Sequence, residues 1–221
     1  MANRLLPFRQ YNEHDVVNLF SLDTSGLTFT DMTHHGAGGK FDAGVIVKVT
    51  NGDMTQEPVA VTGAASDLQT YLGKTDYPHV GGNYNPEVPL KVDVAAGTDI
   101  PLGVSLRQTI AFDENGEKLL YYKQKLLELQ GILPGEAVPV LTKGIITVGA
   151  GAVVGGSEPT VGAEVALGAG GKFRSTNGNT VVGTCLAIGN RDDAAGFSSD
   201  DYHAGDGKSS KGAYYIIKID L

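Results

Sequence analysis

At 221 residues, with 41% hydrophobic positions, the chain is long enough for one large domain or two small ones and for a core that needs no covalent staples. The net charge is −8 and the 17 Lys and Arg are scattered, which argues against a phosphate-binding face for nucleic acid or an anionic membrane. One cysteine excludes an intrachain disulfide, and with no Trp, 7% aromatics and 31 Gly the core falls to Val, Ile, Leu and Ala.

Residues 1–24, MANRLLPFRQYNEHDVVNLFSLDT, stand apart as a candidate N-terminal arm: two Arg, several large apolar side chains, a Pro and few Gly. They lack the apolar stretch of a signal peptide, and no run in the chain approaches a membrane span, so the protein is expected to be made and kept in a cytoplasm, or to leave it by lysis. Glu13 to Phe20 reads either as a short helix with Asn12 as N-cap or as a strand, and the arm as lying on a neighbour or along its own barrel. The β-rich body is expected over 25–221. It opens with a Gly-rich loop (25–43), followed by a strand in GVIVKVTNGD that ends on an Asn-Gly turn.

Residues 51–90 are an irregular insertion: a helical stretch in TGAASDLQTYLG with Ser66 as cap, then the Pro- and Gly-rich KTDYPHVGGNYNPEVP. The β-core runs over 90–190. LKVDVAAGTD alternates apolar and polar residues, and IPLGVSLRQTIAF follows a turn. DENG (113–116) is a turn. KLLYYKQKLLELQ (118–130) places Leu119, Tyr122, Leu126 and Leu129 at helical spacing, with a strand-like Tyr-Tyr start as the alternative; Gly131 and Pro134 stop it. From Pro134 to Ile188, the β-branched runs AVPVL, GIITV, AEVAL and TVVGTCLAI alternate with Gly, Pro and Asn breaks every eight to twelve residues. That is the spacing of a small β-barrel or sandwich. An acidic loop (192–210) and a C-terminal strand (212–221) close the chain. The fold class is therefore mainly β: a barrel or tulip-like or sandwich body, one or two short helices, and long Gly-rich loops.

Constellations that carry chemistry are weak. GAGGKF occurs at Gly36–Phe41 and again at Gly168–Phe173, but Phe follows the Lys where a phosphate loop needs Ser or Thr, so Gly-rich turns are the reading. A shorter echo links LGVSLRQ (102–108) to VGTCLAI (182–188). His34, His35, His79 and His203 lack the spacing of a metal site, and the carboxylates of 192–210 lack the order of a calcium loop. No Ser sits in GxSxG. The pairs Asp113–Glu114 and Asp192–Asp193 are expected in solvated turns with ordinary pKa values. Cys185, inside an apolar run, reads as a buried small hydrophobe. Tyr121–Tyr122 and Tyr214–Tyr215 suit an interface or an in-and-out strand pair. No catalytic, cofactor or metal site is assigned, and the chain is read as a non-enzyme.

NRLLPFRQYNEHDVVNLFSLD at the start, IPLGVSLRQT with YYKQKLLELQGILPGEAVPVLTKGIITV in the middle, and VVGTCLAIG with YYIIKIDL at the end together resemble the capsid decoration, or cement, proteins of tailed bacteriophages. The resemblance implies a barrel or tulip-like body, made in the host cytoplasm, that sits on the outer capsid face of the virion. There it bridges neighbouring capsomers and stabilises the shell, with the major capsid protein and copies of itself, a trimer first, as partners. An arm threading between subunits would suit residues 1–24, where Arg4, Leu5, Leu6, Phe8, Arg9 and Tyr11 are the candidate partner contacts. The alternative is a tail or fibre-base adaptor of the virion with a receptor- or sugar-binding loop in 54–90 or 192–210.

Overall fold

The computed structural model describes residues 4–23, 42–50, 90–113, 115–190 and 213–221. The expected helix in 62–73, the loop after it, the first GAGGKF copy, His34, His35, His79, His203 and the acidic loop 192–210 lie outside those residues.

Alternation in AYYIIKID shows most directly how this sequence makes a sheet. In β13 (Ala213–Asp220), Tyr215, Ile217 and Ile219 are buried while Lys218 and Asp220 are exposed, the period of two that a one-face-buried strand demands. It lies between β9 (Lys143–Gly149) and β12 (Val181–Asn190), antiparallel to both. Ile217 is matched to Ile146 on one side and Cys185 on the other, so three apolar side chains line up across the inner face. Beyond β9 lies β1 (Leu5–Gln10); beyond β12 come β10 (Glu164–Leu167) and β11 (Phe173–Ser175), completing a six-stranded antiparallel sheet. A bulge between Cys185 and Ala187 leaves Leu186 without a partner residue and turns it to solvent, while Cys185 stays in the core.

The second layer is a small ring of five short strands: β2 (Val16–Leu22), β4 (Lys91–Val94), β3 (Ile46–Val49), β5 (Gly103–Ser105) and β8 (Ala137–Leu141), the last pairing back to β2. Leu22, Val45, Val47, Val92, Val138 and Val140 fill its interior. Ile46, Val104 and Leu141 point the other way and join Leu5, Ile146, Val148, Val165, Leu167, Phe173 and Ile217 in one core between ring and sheet. The body is thus mainly β and two-layered, as the spacing of the β-branched runs implies.

Residues 5–22 follow one of the two placements open to the opening segment, the one along its own barrel. β1 is the edge strand of the sheet and β2 a member of the ring, so the segment lies along its own body, and Glu13–Asp15 is a single 3-10 turn between them. Strand wins over helix in Val16–Leu22 because β8 offers a ladder and the alternation Phe20, Leu22 fits the ring interior. Asn12 makes no side-chain capping bond. The reverse crossing, from β8 to β9, passes through Thr142 alone, whose N–H and Oγ1–H both donate to the Asp15 carbonyl at 2.9 and 3.0 Å. Two neighbouring antiparallel segments therefore run from one layer to the other side by side. Gly144 makes the crossing tight enough to close: it sits at φ 151, and a Cβ there would come within 2.6 Å of Tyr11 Cβ.

Residues 108–133 form a small lobe on the ring. β6 (Gln108–Thr109) and β7 (Gly131–Ile132) pair with each other in parallel, and α1 (Lys123–Glu128) covers them. The 118–130 helix is realised only in its second half; the Tyr-Tyr segment before it is a turn, and Phe112 and Lys118 form a single bridge. Leu119 and Leu126 are buried with Ile110 and Leu133, and Leu129 packs against them, whereas Tyr122 points out. Asp113 corrects the expectation of a solvated turn carboxylate. It is fully buried, accepts the N–H of Asn115 at 2.9 Å and of Glu117 at 2.7 Å, and pairs with Lys125 Nζ at 2.5 Å. The turn places two backbone donors around one carboxylate, and the helix supplies a third, the Lys125 cation. The Lys125 hydrogen bond holds the Asp113 pKa below the usual carboxylate range; desolvation opposes it, and the Glu117 and Asn115 N–H groups support it.

The echo between LGVSLRQ and VGTCLAI has a packing basis. A Cβ on Gly103 would overlap the Leu141 carbonyl, and one on Gly183 the Lys218 carbonyl, each on the adjoining strand; two positions on, Ser105 and Cys185 are both buried. Gly183→Ala is therefore expected to destabilise the fold by about 3 kcal/mol through forced strand separation, read as a lowered urea midpoint.

Asp113 also gives a pH expectation. A carboxylate whose folded pKa lies below its unfolded value of about 3.9 contributes its full stability above that pH and loses it as the pH falls through the folded pKa. Asp99 and Asp220, held low by Lys48 and Lys143 hydrogen bonds, act in the same direction. Asp113→Asn should lower stability at pH 7 and make the acid loss below about pH 4 shallower without abolishing it, as followed by denaturant titration across pH.

Candidate interaction site

The six candidate contact residues of β1 and its continuation divide by the pleat of the strand. Leu5 turns into the sheet–ring core, opposite Val148. Arg4 is also turned in, at 7% exposure. Phe8 projects into solvent at 72%, Tyr11 is exposed, and Leu6 and Arg9 are half-buried. A register shift between Leu5 and Arg9, with Pro7 inside it, breaks the ladder of this edge strand. Both features keep a foreign strand from adding to the edge and leave side chains, rather than backbone, as the means of contact.

Below β1 the surface is hollowed. A cavity of about 330 Å³ is lined by Arg4, Leu5, Arg9, Asp42, Gln108 and Gln130, among others. A second, of about 600 Å³, takes in Arg9, Tyr11, Glu13, Arg107 and Gln130. They share Arg9 and Gln130, so the two hollows adjoin, and together they are called the cleft between the first strand and the lobe. Three of the five arginines in the sequence line it.

Each wall has a local cause. Gln130 ends the helical turn at φ 50, a left-handed conformation that only this non-glycine residue adopts among those described. Its neighbour Gly131 admits no side chain, because a Cβ would meet Ile110 and Leu126 at 2.8 Å. Gln130 takes the left-handed position just before this glycine and lines the cleft; the Gln108 side-chain amide donates to the Leu129 carbonyl just before it. Backbone held in this region is strained by about 1–3 kcal/mol and is held there by its surroundings.

Arg4 lies at the floor. Its Nη1–H donates to the Gly170 carbonyl at 3.4 Å, and its Nε is 3.8 Å from Asp42, a separation at which charges attract without a hydrogen bond. Gly170 lies in the second GAGGKF copy, where Gly170 and Gly171 at φ 67 and 65 make a tight turn. That segment is thus a structural turn, as its sequence implies, and its carbonyl meets an arginine. Burial pushes the Arg4 pKa down from its ordinary value, and the Asp42 carboxylate acts in the opposite sense. Arg9 Nε–H donates to the Leu6 carbonyl at 2.9 Å, and Arg107 is exposed. Glu13 and Glu128 are exposed at the rim.

A second feature is the apolar crest of the lobe, where Tyr121 (72%), Tyr122 and, five residues on, Leu127 (64%) are exposed. Tyr214 and Tyr215 follow the in-and-out reading instead, with Tyr215 buried and Tyr214 laid across Gly189. Cys185 lies wholly in the core and its thiol pKa is raised, chiefly by burial. Among the described residues no three His, Cys, Asp or Glu are grouped to hold a metal, and no helix is long and apolar enough to cross a membrane. Arg107, Gln108 and Gln130 were legible in the sequence only as ordinary polar residues. The scarcity of arginine, five in 221 residues, was the available signal for Arg107, and the Gln-Gly step the one for Gln130.

Searches with family models, curated proteins and solved structures give no match for the chain.

Phe8→Ser and Tyr121→Ser should each change stability by no more than about 0.5 kcal/mol, whereas Leu119→Ala, in the lobe core, should cost about 3 kcal/mol. Paired thermal and urea unfolding of the three variants checks this.

Proposed function

We propose that this chain is a structural binding protein of a virion, acting without catalysis or cofactor on the outer face of a phage capsid. The observation that supports it best is the contrast between a frame whose sheet and ring share a buried core and large apolar side chains left exposed on it, Phe8 on the edge strand and Tyr121, Tyr122 and Leu127 on the lobe. Aromatic side chains of this kind are the typical anchors of protein interfaces. The resemblance of the first, middle and last segments to tailed-phage decoration proteins supports the capsid as the surface and the major capsid protein as the partner.

In this reading each copy bridges neighbouring capsomers and the array, with trimers as its unit, stabilises the shell. A modest contact of about 1,000 Å² or more per copy suffices, because engagement of linked copies multiplies their hold. The body's acidic charge keeps it soluble at high concentration.

The test is electron microscopy and mass-spectrometric copy counting on particles made with and without the protein. Hundreds of copies, surface density that disappears with the protein, and reduced tolerance of heat or osmotic shock are expected. A few to a dozen copies would overturn the decoration reading in favour of a tail or fibre-base adaptor, and absence from particles would overturn both.

A further inference from the structure

Arginine is the rarest basic residue type in this chain apart from the ionisable imidazoles' equal count, five of each, yet three arginines gather in one cleft. Arg4, at its floor, presents five N–H donors and cannot shed its charge at any physiological pH. The described surroundings give it one long hydrogen bond, to Gly170, and one ion pair too wide for a hydrogen bond, to Asp42. A buried cation with most of its donors unused is an expensive arrangement, and carboxylates relieve it best because two oxygens match the guanidinium fork. Arg9 lines both halves of the cleft, and Arg107 stands at its outer end, so a second and third cation lie along the same path. The acidic side chains of the cleft are placed differently: Asp42 already faces Arg4, and Glu13 and Glu128 stand in solvent at the rim. Buried Arg4 and half-buried Arg9 outnumber the one acid beside them, Asp42, at the inner end, whereas the exposed rim mixes Arg107 with Glu13 and Glu128. Such a mixed lining suits a single carboxylate on a polypeptide better than a densely charged polyanion.

From this geometry we infer that the cleft between the first strand and the lobe is a carboxylate socket, which receives a Glu or Asp side chain from an extended segment of a partner protein. Arg4 and Arg9 hold the carboxylate, Arg107 guides it in, and the Gln130 and Gln108 side of the cleft flanks the segment's backbone. The cavities of about 330 and 600 Å³ are in the size range of small-ligand pockets, enough for a side chain and its neighbouring backbone. The inference deepens the proposed docking role by naming the chemistry of its partner. Its test does not use particles, so it can fail while surface occupancy stands, and the reverse.

The probe is an end-blocked peptide alternating Glu and Ala, titrated into the intact chain by NMR or calorimetry at low and moderate salt, beside its Gln-for-Glu counterpart and inorganic phosphate. The Glu peptide should bind, weaken with salt, and shift signals of residues 4–11, 107–108 and 130. Its Gln counterpart should bind about tenfold less tightly or not at all. Arg9→Ala and Arg107→Ala, both away from the core, should each lose about tenfold, while Arg174→Ala, on the far strand β11, should lose nothing. Arg4→Lys keeps the charge and removes the fork, so weakened binding with unfolding unchanged is expected; the Arg9 and Arg107 variants decide the matter if Arg4→Lys does not fold. No binding of the Glu peptide, equal binding of the Gln peptide, equal loss on Arg174→Ala, or binding of phosphate in preference to the peptide would each overturn the inference.

Discussion

Everything in this molecule depends on two strand segments crossing together from sheet to ring. β1 runs into β2 and β8 into β9, and because β1 pairs with β9 and β2 with β8, the crossings travel as an antiparallel pair. Thr142 fixes them with two hydrogen bonds to Asp15, and the Leu221 N–H donates to the Thr142 carbonyl, so the end of β13 is tied to the same point. A sheet and a ring joined by flexible linkers would move as separate bodies. Joined by paired backbone, they bury a common core that includes Leu5, Ile46, Val104, Leu141, Ile146 and Ile217. The cleft is a by-product of that joint, since the first strand must pass over the ring's edge to reach it and the lobe rises on the far side.

Much of the strand content was legible because it obeys local rules. AVPVL, GIITV, AEVAL and TVVGTCLAI all became strands, and β13 displays the alternation that GAYYIIKIDL writes out. What stayed hidden depends on tertiary contacts. Val16–Leu22 carries enough apolar residues for either helix or strand, and the choice is made by β8 and β4, which lie far away in sequence. The first half of KLLYYKQKLLELQ has helical spacing but is drawn into a bridge with Phe112 and a turn, so the helix begins only after Tyr122. Asp113 looked like any turn carboxylate until Lys125 folded over it. Ring closure is likewise invisible locally, because each pairing spans only a few residues and joins segments widely separated in the sequence.

The site was legible to a lesser degree. The Arg and apolar content of the opening segment sets it apart in the sequence but does not tell which of its side chains turn inward. The pleat sends Leu5 inward and Phe8 outward, and the turn carbonyl of Gly170 captures Arg4. A pattern of residue types cannot reveal a buried guanidinium, because its cost is set by neighbours that are distant in sequence. Gln130 makes the same point from the backbone: its left-handed conformation stands before a glycine whose missing side chain makes room for Ile110 and Leu126, and neither is written in the local sequence.

The placement of β13 has a consequence for how the protein is made. Its two neighbours, β9 and β12, both emerge from the ribosome before it does, and neither can complete its ladder until it arrives. At about 5–20 residues per second, the nascent chain holds two unsatisfied apolar edges open through the synthesis of everything between Asn190 and Ala213. Slow translation or crowded polysomes would therefore put neighbouring chains in competition for those edges, and chaperone binding at β9 and β12 would protect the yield.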